Sequence, residues 1–187
     1  MVSIIMARLS KSDWLAEGFT ILSEFAQNKL RILYLCERLG VTRGSFYHHF
    51  DGIEDYVDAL MAQWKKEHTE ELIDLSNQHH SPLDQLQALN GLVAQKDQSI
   101  EAAIRSWSFY QPLVRKHLAK VDEMRMAYLA NLYQGLGAEK EVAIDMAKVE
   151  YATLIGLQQL YTKLDAEGFD RLYEAFRSLA KLMNQSR

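Results

Sequence analysis

One cysteine, two prolines and no long apolar run define this 187-residue chain first by what it cannot build. Cys36 alone allows no internal disulfide, which excludes the stapled frameworks of small secreted domains. No stretch approaches the roughly 18 apolar residues of a membrane span. Met1 to Met6 is apolar but short, with neither the basic start nor the small-residue cleavage site of a signal peptide. These absences predict a cytoplasmic protein. Surplus positive charge is missing as well: 21 Lys+Arg face 25 Asp+Glu, a net of −4, so charge alone argues against a nucleic-acid binder. Catalytic signatures are lacking too, since no G-x-S-x-G, glycine-rich phosphate loop, H-E-x-x-H or Cys-His cluster occurs. His48-His49 and His79-His80 are adjacent pairs, and neighbours on a helix point about 100° apart, a poor geometry for sharing one metal. No enzyme activity, cofactor or metal is therefore expected.

What the chain does have is helical periodicity. Its 48% hydrophobic and 25% charged residues are those of a globular protein, and so few prolines and glycines leave long helices intact. Apolar residues recur every three or four positions almost throughout, without strand alternation, so the fold class is all-α with about nine helices. The first, about 11–27, carries Leu15, Phe19, Leu22 and Phe25 on one face and starts at Ser10 and Asp13, a capping-box spacing. Ile32, Leu35, Cys36 and Leu39 form a stripe that stops at Gly40, a residue suited to a left-handed helix end. Thr42 stands where a short third helix needs its N-cap. A fourth helix runs from Ile53 to about Asn77, and Ser81-Pro82-Leu83-Asp84 starts a fifth that reaches Ala94. The remainder reads as helices over about 99–110, 113–136, 139–164 and 169–184.

Leu30 to Leu39, the Gly40-Val41 turn and Thr42 to His49 make a helix-turn-helix, in which the first helix braces a second that enters the DNA major groove. Val41 and Phe46 are placed to lock the two together. The run Arg38-Leu39-Gly40-Val41-Thr42-Arg43-Gly44-Ser45-Phe46-Tyr47-His48-His49-Phe50 resembles the DNA-binding signature of TetR-like transcriptional regulators, and Trp14, Gly18 and Phe19 fit the same pattern. The resemblance implies a helix-turn-helix DNA-binding domain over 1–52 and a helical regulatory and dimerisation domain over 53–187. It implies a one-component regulator, a repressor that binds a pseudo-palindromic double-stranded DNA operator as a homodimer and is released by a small-molecule effector.

Roles follow residue by residue. Thr42 caps the reading helix or reaches a phosphate, and Arg43 bonds a phosphate or forks onto a guanine edge. Gly44 lets the backbone approach a phosphate closely; Ser45, Tyr47 and His48 face the groove or its walls. His49, Lys29 and Arg31 are candidate phosphate contacts. Against this, residues 1–65 hold seven Lys+Arg and eight Asp+Glu, a net of −1. Where relatives commonly carry Lys or Arg at the start of the fourth helix, this chain has Asp51, Gly52 and Ile53, then Glu54, Asp55 and Asp58. Phosphate contacts supply most non-specific affinity, so these missing cations predict weak non-specific binding with a shallow salt dependence. They also keep open a helical interaction or ligand-binding protein of the same fold that has lost specific DNA binding, and an all-helical carrier or enzyme using a C-terminal cavity.

The C-terminal helices are apolar on more than one face. Val142, Met146, Val149, Thr153, Gly156 and Leu160 form one stripe, Tyr151, Leu154 and Tyr161 a second. A helix with two apolar faces packs on its own core and on a partner, and the expected dimer interface is Val149, Thr153, Gly156, Leu160, Leu172, Phe176 and Leu179, with one large monomeric core as the alternative. Candidate effector-pocket residues are Trp107, Tyr110, Met124, Tyr128 and Tyr151, with plain core as the alternative. Asp122 and Arg125, spaced i, i+3, suggest a helix-surface or inter-helix ion pair, and Arg105 either pairs structurally or holds an acidic ligand. The lack of a dense charge cluster favours a mainly apolar effector.

Overall fold

A computed structural model describes residues 9–161 and, beyond them, Glu167, Gly168, Arg171, Leu172, Ala175 and Ser178. Every regular element among these residues is helical: α1 Lys11–Phe25, α2 Ile32–Leu39, α3 Arg43–Tyr47, α4 Ile53–Lys65, α5 Glu71–Ser76, α6 Pro82–Ala94, α7 Gln98–Ser108, α8 Pro112–Gly135 and α9 Lys140–Leu160. A π-helical turn, Lys66–Glu70, joins α4 to α5, so the single helix expected from Ile53 to about Asn77 runs that far with one wider turn inside it. The last helix expected, 169–184, falls for the most part outside the described residues. No helix among them is long and apolar enough to cross a membrane. The chain divides into two compact units, one taking the residues up to Trp64 with Ala103–Leu118, the other Lys65–Ala102 with the chain from Ala119 onward.

The first unit is built on aromatic packing. Ser10 closes α1 with the capping box its spacing predicts, accepting from the Asp13 N–H while Asp13 accepts from the Ser10 N–H. The helix ends two residues earlier than its apolar pattern, at Phe25, because the chain tightens into a 3-10 turn over Ala26–Lys29. Trp14, Phe46, Phe50 and Tyr56 are buried together. Phe46 meets Trp14 edge-on at 5.4 Å between centroids, and Phe50 meets Tyr56 at 5.0 Å, arrangements worth about 0.5–1.5 kcal/mol per pair beyond area burial. The Tyr56 hydroxyl donates to the Trp14 carbonyl at 2.8 Å and passes so close to Gly18 that any Cβ there would overlap it. This explains glycine in the middle of α1, a position where it otherwise costs about 1 kcal/mol against alanine. Arg38 ties α2 to α1 through Glu17 and Glu24, both at 2.7 Å.

In the second unit, Leu86, Leu129, Ala130, Leu132, Ala147 and Tyr151 form one cluster. Ser81 accepts from the Asp84 N–H and Pro82 takes the first turn of α6, as the sequence predicts. Gly135 at the end of α8 lies against the Pro82 ring, where a Cβ would come to 2.8 Å of Cγ. The chain then turns at Gly137, whose φ of 95° favours glycine.

Candidate functional site

The turn between α2 and α3 starts at Gly40, left-handed at φ 66° and ψ 32° as expected for a helix-ending glycine. The Gly40 N–H donates back to the Cys36 and Glu37 carbonyls, and the Val41 N–H to Cys36. Thr42 is extended at the N-cap position, but its side chain makes no cap hydrogen bond, which departs from the capping role the sequence assigns it. Its hydroxyl is left for other partners. α3 is short, with hydrogen bonds continuing beyond Tyr47 as far as Phe50.

Phe46, fully buried against Trp14, fixes which way α3 faces. With that residue inward, Thr42, Arg43, Gly44, Tyr47 and His48 are exposed and Ser45 half-buried. Val41 is half-buried beside it. His49 is half-buried, its ring 6.4 Å from that of Trp14 and 6.3 Å from that of Phe50. Gly44 has room for a side chain, since a Cβ would meet only Thr42 Oγ1 at 3.6 Å. Its glycine is therefore not a packing requirement. Lys29 and Arg31 are exposed just before α2, with Lys29 Nζ lying 5.5 Å from the Tyr34 ring centroid. One cation on this unit escapes the sequence pattern: Lys11, whose Nζ sits 4.8 Å over the Phe50 ring that closes the motif. Only the packing of α1 brings it there.

The acids that break the basic pattern have local structural uses. Asp55 accepts from the Asp51 N–H at 3.1 Å, and Glu54 and Asp55 occupy the first turn of α4, where negative charge complements the helix dipole. Asp58 meets His117 Nε2 at 2.8 Å. Cys36 is buried, and that burial pushes its thiol pKa up although Arg43 pulls the other way, so it remains a thiol rather than a thiolate at neutral pH.

The second unit holds a small, partly open cleft of about 70 Å³ among the π turn, α5, α6, α7, α8 and α9. Of the pocket residues expected from the sequence, Tyr128 and Tyr151 line it. Met124 borders a shallower recess with Tyr128. Trp107, Tyr110 and Arg105 belong to the other unit, Trp107 buried and Tyr110 80% exposed. Polar lining residues that sequence reading missed include His68, Thr69, Asn90, Gln98, Glu101 and Gln158. Asn90 carries a legible signal: it occupies a place in the Leu86, Leu89, Val93 stripe of α6 where an apolar residue is the norm.

Arg125 organises one wall. It pairs with Glu101 at 3.0 Å and 3.2 Å, and donates to Tyr151 Oη, Thr69 Oγ1 and the His68 carbonyl. Of the two residues read as ion-pair partners from their i, i+3 spacing, Arg125 forms an inter-helix pair with Glu101, and Asp122 accepts from the Tyr151 hydroxyl at 2.6 Å. The partner of Arg125 comes from a neighbouring helix because its side chain, 15% exposed, is turned into the unit, where an acid from α7 is also enclosed.

Burial, with repulsion from Lys96 added, pulls the His68 imidazole pKa down to about 4, so it is neutral at pH 7. Its unfolded counterpart takes up a proton near pH 6.5. The native state is therefore at full strength above pH 6.5 and loses stability as pH falls towards 4, by about 3 kcal/mol from this one group. Urea midpoints measured across that window should fall steeply in the natural chain and less steeply in His68→Gln.

On the expected dimer face, Val149 and Leu160 are exposed, together with Val142 and Met146 of the same stripe. Thr153, Gly156 and Leu172 are half-buried. The Thr153 hydroxyl is satisfied by the Val149 carbonyl at 2.8 Å, and Gly156 has open space around it. Phe176 and Leu179 lie outside the described residues. Tyr151 of the second stripe is turned into the core.

No family model matches the chain. The chain is 32% identical over 115 residues to the HTH-type transcriptional repressor KstR2 of Rhodococcus jostii strain RHA1, a stretch covering 58% of this chain. It spans about half the length of that curated relative, 52%. A TetR transcriptional regulator from Legionella pneumophila superposes with a TM-score of 0.75 over 92% of this chain and 99% of that one, at 16% identity. A transcriptional regulator from Rhodococcus sp. Rha1 gives 0.72 over 89% and 93%, at 17% identity. The all-helical fold is that of TetR-type regulators.

Proposed function

We propose that this chain, which has the fold of TetR-type regulators, is a one-component transcriptional repressor that binds a pseudo-palindromic operator as a homodimer and releases it on binding a small molecule. The observation that carries the reading is the face of α3. Buried Phe46 turns Thr42, Arg43, Tyr47 and His48 outward on a short helix braced by α2, the arrangement that sets side chains against base edges. A second copy is supported by the exposed stripe Val142, Met146, Val149 and Leu160, an apolar strip on one helix that water alone would leave unfavourably solvated. A two-fold pair would set its reading helices one DNA turn apart, about 34–36 Å. The effector is assigned to the cleft lined by Tyr128 and Tyr151. To weaken operator binding, it must favour the state that does not fit DNA, by about 1.4 kcal/mol for each tenfold loss of occupancy.

Selection from a random DNA pool by the purified chain tests the reading: enrichment of a near-palindrome supports it, and recovery of no preferred sequence removes it. Salt dependence gives a second measure. Among the described residues of α1 to α3 and their turns, Lys11, Lys29, Arg31 and Arg43 are exposed and outside any carboxylate pair, whereas Arg38 is engaged by Glu17 and Glu24. At about 0.9 per phosphate contact, two copies using all of these cations give a slope of log K against log salt no steeper than about −7. A steeper slope would mean that other parts of the chain grip the phosphates.

The acidic start of α4 favours a second reading, in which the fold is kept for protein interaction without specific DNA recognition. It expects no sequence enrichment and a protein partner that dissociates on mutation of the α3 face.

A further inference from the structure

Two amides in the wall of the cleft have hydrogen-bonding capacity that the protein leaves unused. Asn90 on α6 and Gln158 on α9 are 8% and 9% exposed, and both line the cleft. Among the described residues, Asn90 Nδ2 and Gln158 Oε1 are buried without a hydrogen-bond partner, a state that costs free energy unless something else fills it. The orientation of Gln158 is set by a relay. Gln98 Nε2 donates to the Val93 and Lys96 carbonyls at 2.8 Å and 3.0 Å, so Gln98 Oε1 is left as an acceptor. Gln158 Nε2 donates to it at 2.6 Å, and the Gln158 oxygen remains open. One amide thus offers a donor and the other an acceptor.

Apart from Lys96, the charges around them are largely committed elsewhere. A guanidinium has five N–H donors, and all of those on Arg125 are spent on Glu101, Tyr151, Thr69 and the His68 carbonyl. Asp97 accepts from the Ser99 N–H and hydroxyl, and Glu150 accepts from the Tyr133 hydroxyl. Lys96 and Arg125 face three lining carboxylates, Asp97, Glu101 and Glu150, so the wall carries no surplus of positive charge for an anion. His68, neutral at pH 7, adds none. The rest of the lining is largely aliphatic, from Leu72, Ile73, Leu89, Val93, Leu129 and Leu154.

We propose that the effector is an uncharged, largely apolar molecule bearing both a hydrogen-bond acceptor and a donor, as in a carboxamide or lactam. Its acceptor takes the Asn90 N–H and its donor meets Gln158 Oε1. This rests on the reading of the cleft as the effector site.

Octanamide, octanoate and octylammonium share one alkyl chain and differ only in the head group, which makes them direct probes. In calorimetric titrations of the full chain, octanamide binds at least tenfold more tightly than either ion. Asn90→Leu and Gln158→Leu, which keep apolar volume and remove the amide, each lose tenfold or more of that affinity. Equal or tighter binding of either ion, no binding of octanamide, or unchanged octanamide binding in either variant overturns the proposal. The comparison of probes on the unaltered chain depends on no variant folding. DNA selection with the same preparation separates the two readings. Operator enrichment without an amide preference overturns the ligand class alone. An amide preference that needs Asn90 and Gln158, without operator enrichment, supports the ligand class and removes the repressor.

Discussion

Replacing Arg43 and Tyr47 together by alanine is expected to abolish operator selection while leaving thermal unfolding and subunit association unchanged. Both side chains are exposed on the face of α3 opposite Phe46, with Tyr47 49% exposed, so neither supports the core to any large extent. Tyr47 packs edge-on against Phe46 at 5.5 Å, and losing that exposed contact costs the fold little. Arg43 has no ion pair to break among the described residues. Its loss on DNA is of another size: a forked arginine–guanine contact discriminates by about 1–3 kcal/mol, and a two-fold dimer loses it twice. The summed effect, about 2–6 kcal/mol, is a drop of roughly 30-fold or more in operator affinity for Arg43 alone. Undiminished enrichment of the same sequence by the double variant would show that α3 is not the reading element. A melting temperature that falls with the loss would instead assign these residues to the fold.

The second large effect is expected from Arg125→Met, which should lower stability by about 3–5 kcal/mol. Methionine matches the arginine stem in length, so the loss is electrical rather than one of volume. It removes the Arg125 cation from the Glu101 carboxylate, 6% exposed, and the guanidinium donors from the Thr69 hydroxyl and the His68 carbonyl of the π turn. Burial by itself would lower the Arg125 pKa; Glu101 and Tyr151 outweigh it and raise the group above its ordinary value. Removing both ends behaves differently. Glu101→Leu combined with Arg125→Met should recover most of the stability, because a buried pair replaced by apolar residues of similar size is often neutral or stabilising. Urea unfolding of the two single variants and the double variant gives the coupling directly. If Arg125→Met unfolds at the same midpoint as the natural chain, the network is not a stabilising pair.

These two arginines divide the chain by how far each was legible. Arg43 was assigned from its neighbours alone: a helix-ending glycine, an N-cap position and an aromatic residue three places on fix where a short helix starts and which side turns inward. The same local logic found the Ser10 and Ser81 starts, and the left-handed Gly40. It gave Thr42 a capping bond that does not form, since an N-cap backbone shape does not oblige the hydroxyl to bind locally. For Arg125 the i, i+3 spacing with Asp122 leaves a helix-surface or an inter-helix ion pair open, and the partner that the fold supplies is Glu101, 24 residues distant. Asn90 and Gln158 are similar: each is an amide on an apolar helix, and nothing near either in sequence tells that a relay through Gln98 leaves one oxygen open.

The sequence by itself determined an all-helical chain, the turn before α3 and the side of α3 that turns inward, because helix periodicity, capping and glycine stereochemistry act over a few residues. Tertiary structure decided which charges are spent and which polar groups remain open. Arg38 is engaged by two glutamates, Lys11 comes over Phe50, Arg125 is saturated, and Asn90 Nδ2 and Gln158 Oε1 have no hydrogen-bond partner among the described residues. Those outcomes depend on groups brought together from distant parts of the chain in a medium of low dielectric, where each pairing excludes another.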